Sequence, residues 1–202
     1  MSRIEPFHPD DLDERQRELY AAIVGGRAGV ADTVPLTDDE GHLTGPFNAM
    51  LLSPDIGMAL QELGTAIRYR GALSPRSREL AILIVAAHWQ CEFELDAHTL
   101  IGAQAGLTGA ELDALRAGRP LRLHYEEEAA VLAVTRTLVR TADLGPSDYD
   151  AAASKLGPAK LFEVSTLVGY YSLLALQMRI FGVSRPPELD TGAPADNTPP
   201  ND

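Results

Sequence analysis

Eight consecutive apolar residues, Leu80 to Ala87, follow the helix-start signal Ser74-Pro75 and end shortly before Cys91, the only cysteine of the chain. A helix that is apolar on every side has to be buried on every side. The run therefore predicts a central helix from Pro75 towards His88, with other elements packed all round it. It is far shorter than the roughly 20 residues a membrane-crossing helix needs. The whole stretch from Leu73 to Gly106 reads as two consecutive helices, the second from about Trp89 to Ala105 and ended by Gly106.

The rest of the chain supplies the packing partners. Asp10 to Val24 is expected to be helical, with Leu12, Leu19 and Ile23 on one side and Gly25-Gly26 closing it. Residues 27–47 form a long connection, and connections of that length tend to be functional or mobile. Ser53-Pro54-Asp55 starts a helix that runs to about Tyr69, with Ile56, Leu60, Leu63 and Ile67 expected inside. Thr108-Gly109-Ala110-Glu111 is a capping box for a short helix to Ala117. Further helices are expected over Glu126 to Thr141, Tyr149 to Lys155 and Ala159 to Phe181, with Gly157-Pro158 as punctuation. No strand-like alternation occurs, so the fold class is all-α. The sequence long helix, turn, long helix occurs near 54–105 and again near 126–181, which suggests an internal duplication of helix pairs. Residues 1–183 read as one helical domain, and the Pro-rich stretch 184–202 as a disordered tail.

Net charge narrows the partners. Seventeen Lys and Arg against 29 Asp and Glu give −12 at pH 7, which repels nucleic-acid phosphates. Anionic membrane surfaces are disfavoured on the same ground. A local cationic patch is still available from Arg68, Arg70, Arg76 and Arg78. One cysteine forms no internal disulfide, and no apolar signal region opens the chain, so a soluble cytoplasmic protein is expected.

Four residues carry the candidate chemistry: Glu79, Cys91, Glu94 and His98. Cys91, Glu94 and His98 stand at relative positions 0, 3 and 7, one face of a continuous helix. Glu79 lies on the preceding helix and reaches the same cavity if the two helices pack closely. Carboxylate, thiol and imidazole can each carry a proton, and His98 can titrate near neutrality. Glu94 and His98 form an i,i+4 pair, in which the acid orients the imidazole more than it activates the thiol. Each residue also has a plain structural reading: a small buried thiol, a satisfied core histidine, a first-turn acid, a salt-bridged surface acid. Without a second cysteine a zinc centre is not expected. With no Gly-rich nucleotide loop, no cofactor is expected either.

Arg78-Glu79-Leu80-Ala81-Ile82-Leu83, followed by Cys91-Glu92-Phe93-Glu94-Leu95-Asp96-Ala97-His98, resembles the carboxymuconolactone decarboxylase family, which includes the alkylhydroperoxidase D-like proteins. The likeness extends over about residues 45–183, through Asn48 to Leu60 and Leu167-Val168-Gly169-Tyr170-Tyr171. It implies an alkylhydroperoxidase D-like helical bundle that assembles into homo-oligomers. In the peroxidase branch a Cys-x-x-Cys pair does redox chemistry, while a glutamate and a histidine relay protons. Residue by residue, the glutamate falls on Glu79, the first cysteine on Cys91 and the histidine on His98. The second cysteine falls on Glu94, which forms no disulfide, and the histidine sometimes found between the cysteines falls on Phe93. The resemblance thus implies a cofactor-independent lyase or isomerase acting on a small carboxylated lactone or related metabolite, anchored by Arg68, Arg70 or Arg76. The alternatives are a single-cysteine peroxide-reducing enzyme, with an external thiol resolving Cys91, and a non-catalytic helical oligomeric binding protein.

Overall fold

A computed structural model of the chain describes residues 2–26 and 33–183. Among them are eight α-helices: α1 Glu14–Gly26, α2 Phe47–Met50, α3 Pro54–Tyr69, α4 Pro75–Trp89, α5 Glu92–Gln104, α6 Gly109–Arg116, α7 Glu126–Thr141 and α8 Pro146–Phe181. The described residues contain no β-sheet, only an isolated bridge between Thr37 and Leu43. The expected tail at 184–202, and residues 27–32 of the long connection, lie outside the described residues.

Helix α4 is central because its middle turns are apolar on every side. Ser77 and every residue from Glu79 to Ala86 are buried, and the helix packs against α5, α6, α7 and α8. Each buried Leu, Ile or Val side chain contributes roughly 1.5–3 kcal/mol. The start is fixed by Ser74, whose Oγ accepts from the Ser77 amide at 3.0 Å, and by Pro75 in the first turn. The end is fixed by Gln90, which adopts a left-handed conformation at φ 51°. Such a conformation is uncommon outside glycine, and here it turns the chain sharply into α5. Cys91 is therefore the N-cap of α5, with extended backbone, and not part of the helix that carries Glu94 and His98.

Two other expectations are corrected. The first helix does not start at Asp10: Pro9–Asp11 is a short 3₁₀ turn, and α1 begins only at Glu14. Asp13 and Gln16 explain the shift, since the Gln16 amide donates to Asp13 Oδ1 at 2.8 Å and the Asp13 amide donates to Gln16 Oε1 at 3.0 Å. That reciprocal pair is a capping box. The second correction is the face α3 buries. Its buried residues are Gly57, Gln61, Gly64 and Arg68, whereas Ile56 is 62 % exposed and Leu63 38 %. Packing against α1 selects the small-residue side: a Cβ built at Gly57 lies 2.6 Å from Leu19 Cδ2.

The α4–α5 and α7–α8 pairs each pack side by side, and α4 also packs on both members of the second pair, a pattern consistent with the duplication of helix pairs. Helix α8 is broken at Gly157 (φ 71°, ψ 164°) before Pro158, so it is two helices in tandem. By length and composition α8 could cross a membrane, yet half of its most apolar window is buried inside the molecule. Residues 33–46 form a loop folded back on itself, with the Thr44 amide donating to the Leu36 carbonyl at 3.0 Å. Val34, Leu36 and Leu43 of this loop join the main core.

Candidate active site

Glu79 is wholly buried on α4, and burial alone would hold its carboxyl neutral. Three cationic partners oppose that. Oε2 lies 2.6 Å from His98 Nδ1, and Oε1 lies 3.7 Å from both Arg68 Nη2 and Arg78 Nε. Although desolvation raises it, the nearby His98, Arg68 and Arg78 hold the Glu79 carboxyl below the usual carboxylate range. On α5, His98 Nε2 lies 3.0 Å from Oε2 of Glu94, one turn earlier. Burial pushes the imidazole towards neutrality, but Glu79 and Glu94 outweigh it and raise its pKa. Both ring nitrogens thus meet carboxylates. A neutral imidazole has one N–H for these two contacts, so the chain Glu79–His98–Glu94 holds its second contact only with an additional proton, on the ring or on a carboxyl.

The partners from the other helices complete the site. Arg68, on the buried face of α3, donates from Nη1 to the Tyr171 hydroxyl at 3.2 Å. Tyr171 stands edge-on to the His98 ring, with centroids 5.3 Å apart. Desolvation keeps it a phenol, and among the described residues its hydroxyl proton has no acceptor. Arg68, Glu94, His98 and Tyr171 line one cavity of about 50 Å³, roofed by Val34, Pro35, Leu36, Thr44 and Pro46 of the loop and walled by Phe47 and Phe93. Glu79 sits behind His98.

Of the four residues singled out from the sequence, Glu79, Glu94 and His98 come together. Cys91 does not line this cavity; it is 5 % exposed and belongs to the hydrophobic core. Burial, with help from Glu94, pushes its thiol up to about 11. Of the three anchoring arginines, Arg68 reaches the cavity, Arg76 instead pairs with Glu111 and Glu128, and Arg70 is exposed and bonds a backbone carbonyl. Tyr170-Tyr171 reads from sequence most simply as core or an oligomer contact, with a pocket role as the alternative, and the structure places both at the cavity. The one signal is chemical: a tyrosine in an apolar helix needs somewhere to put its hydroxyl.

Residues 54–137 match the family model of the carboxymuconolactone decarboxylase family. That segment carries the family's domain. The matched carboxymuconolactone decarboxylase segment contains Arg68, Glu79, Cys91, Glu94 and His98 but ends before Tyr171. No curated protein sequence matches the chain. Among solved structures, the fold is similar to an alkylhydroperoxidase D core, an uncharacterized peroxidase-related protein from Ralstonia eutropha JMP134. That similarity has a TM-score of 0.74 at 16 % identity and covers 93 % of this chain and 94 % of the other. It is also similar to a peroxidase-related protein from Silicibacter sp. TM1040, with a TM-score of 0.71 at 13 % identity, covering 94 % of each chain. A third is the debrominase Bmp8, with a TM-score of 0.69 at 14 % identity, covering 91 % of this chain and 92 % of the other. This chain combines a helical fold shared with these structures with a single buried cysteine. Among the described residues, no group of three or more His, Cys, Asp or Glu is arranged to hold a metal ion.

Proposed function

We propose that the chain is a cofactor-independent acid–base enzyme of the carboxymuconolactone decarboxylase type, a lyase or isomerase acting on a small carboxylated lactone or related metabolite. One observation carries this reading: His98 bridges two buried carboxylates at the wall of a cavity that also presents a buried arginine. Arg68 and the Tyr171 hydroxyl take the substrate carboxylate or carbonyl. Glu94, the carboxylate on the cavity side, exchanges a proton with substrate carbon. His98 passes charge back to Glu79, which Arg68 and Arg78 keep ionised. In a decarboxylation the bond to the leaving carboxylate breaks, its electron pair moves into the conjugated carbonyl, carbon dioxide departs, and Glu94 delivers to carbon the additional proton held in the Glu79–His98–Glu94 chain, which solvent then replaces. In an isomerisation the same residue removes a proton at one carbon and delivers it at another.

A water needs about 10–15 Å³ of such space, so a 50 Å³ cavity takes roughly four non-hydrogen atoms. A lactone is larger, and the reading therefore includes movement of the loop at residues 33–46 as a lid. The similarity to peroxidase-related structures supports a second reading, in which Cys91 reduces peroxide. The thiol's burial, raised pKa and separation from the cavity favour the first. The exposed apolar positions Phe162, Leu173, Leu176 and Ile180 share one face of α8, and we propose that this face joins copies of the chain into a homo-oligomer.

The test is turnover of a panel of small carboxylated lactones, followed by carbon dioxide release and product chromatography. His98→Gln and Glu94→Gln should each lower kcat/KM by about 10²–10⁴, and Cys91→Ser should change it by less than about threefold. Peroxide consumption lost in Cys91→Ser, with no lactone turned over, would move the assignment to the thiol.

A further inference from the structure

A second concavity, of about 690 Å³, opens between α4, α6 and α7 and shares no lining residue with the cavity at His98. Its floor is apolar, formed by Ile84, Leu115 and Val139, and its rim carries Arg116, Arg136 and Arg140. No carboxylate lines it, in a chain where 29 acids outnumber 17 lysines and arginines. Arg116 is neutralised by Asp96, with Glu92 at 3.4 Å. Arg136 and Arg140 are not: among the described residues neither forms an ion pair. Arg136 Nη2 donates to the Arg119 carbonyl at 2.7 Å, and Arg140 Nε donates to the Arg136 carbonyl at 3.0 Å. These bonds orient the two guanidinium groups and leave their charges uncompensated. They sit one turn apart on α7, where like charges repel.

We propose that this cleft binds a small organic phosphate, with the phosphate bridging Arg136 and Arg140 and the hydrocarbon part resting on the apolar floor. A dianion matches two cations where a single carboxylate would satisfy one, and guanidinium groups grip phosphate oxygens in pairs. The volume lies in the range of small-molecule pockets, about 300–1,000 Å³. The apolar floor argues for an organic ester over bare phosphate.

Calorimetric titration of the full chain with phenyl phosphate, inorganic phosphate and phenol tests this. Phenyl phosphate should bind with a dissociation constant in the millimolar range or tighter, weakened at least about tenfold by Arg136→Ala with Arg140→Ala and progressively by added salt. Inorganic phosphate should bind more weakly and phenol not at all. Arg140→Ala alone, at an exposed position, should weaken binding in the same direction and supplies the comparison if the double variant is poorly folded. The proposal fails if phenyl phosphate gives no saturable heat, or if the arginine variants bind it as the parent does. Inorganic phosphate binding equally tightly would remove the organic class. An acidic peptide that outcompetes phenyl phosphate would make the cleft a protein-docking surface instead.

Discussion

His98 has no ring nitrogen to spare, since Glu79 holds one and Glu94 the other. This makes the pair with Glu79 a sensor of pH. The Glu79 carboxyl is held down, so its stabilising share is complete above its ordinary value of about 4.5 and is lost as pH falls through the lowered one. The His98 imidazole is raised, so its share is complete below its ordinary 6.5 and is lost as pH rises through the raised one. The pair's contribution is therefore whole between about pH 4.5 and 6.5. Urea midpoints of the parent and Glu79→Gln should differ most in that window and converge on either side, whereas a gap independent of pH would mean the pair is not coupled as drawn. The thiol makes a separate prediction. With its pKa pushed up to about 11, Cys91 should react slowly with disulfide reagents at pH 8 in the folded protein and quickly once denaturant is added. Glu79, Glu94 and His98 were legible in the sequence as ionisable groups interrupting apolar runs. The separation of Cys91 from the cavity was not, because it depends on Gln90 taking a left-handed backbone, and glutamine carries no signal for that.

At the scale of elements, helix starts are more legible in the sequence than buried faces. Pro54, Ser74-Pro75 and the Thr108–Glu111 box stand where expected because capping is local chemistry. Helix α3 shows the opposite case. Periodicity would bury Ile56, Leu60, Leu63 and Ile67, of which Leu60 and Ile67 pack half-buried against the core; α1 approaches along Gly57, and the inward side also carries Gln61 and Arg68. Gln61 donates to the Ala22 carbonyl at 3.1 Å, and Arg68 pairs with Glu79 at 3.7 Å and donates to Tyr171, while its Nε has no hydrogen-bond partner among the described residues. A helix that turns its polar residues inward breaks the rule of apolar burial, and such breaks concentrate where function or close packing overrides it. Gly57→Ala should therefore destabilise the fold by about 1–3 kcal/mol, read as a lowered urea midpoint, because the new methyl group would meet Leu19 and the Met50 carbonyl at 2.6 Å. Unchanged stability would mean that α1 can shift without loss.

Across the whole molecule, the apolar positions left outside are as informative as those inside. Phe162 is 71 % exposed, and Leu63 of α3 and Phe162 of α8 line the same shallow groove of about 210 Å³. If copies of the chain associate through this face, Phe162→Asp combined with Leu176→Asp should shift the sedimenting species to the monomer while leaving helicity unchanged. A parent that already sediments as a monomer at micromolar concentration would rule the face out. The all-helical architecture was legible because one wholly apolar helix demands a shell around it. The roof at residues 33–46 was not, since its packing rests on Val34, Leu36 and Leu43 reaching the core from a segment without periodicity.

The way α4 is enclosed also bears on how the protein is made. Its apolar side chains pack on α8, translated dozens of residues later. A ribosome that has read through Ala142 has released every group of the Glu79–His98–Glu94 chain but not the helix that covers them. Until Pro146–Phe181 emerges, the nascent protein exposes its most hydrophobic segment, and a transcript truncated there should yield a product that chaperones retain.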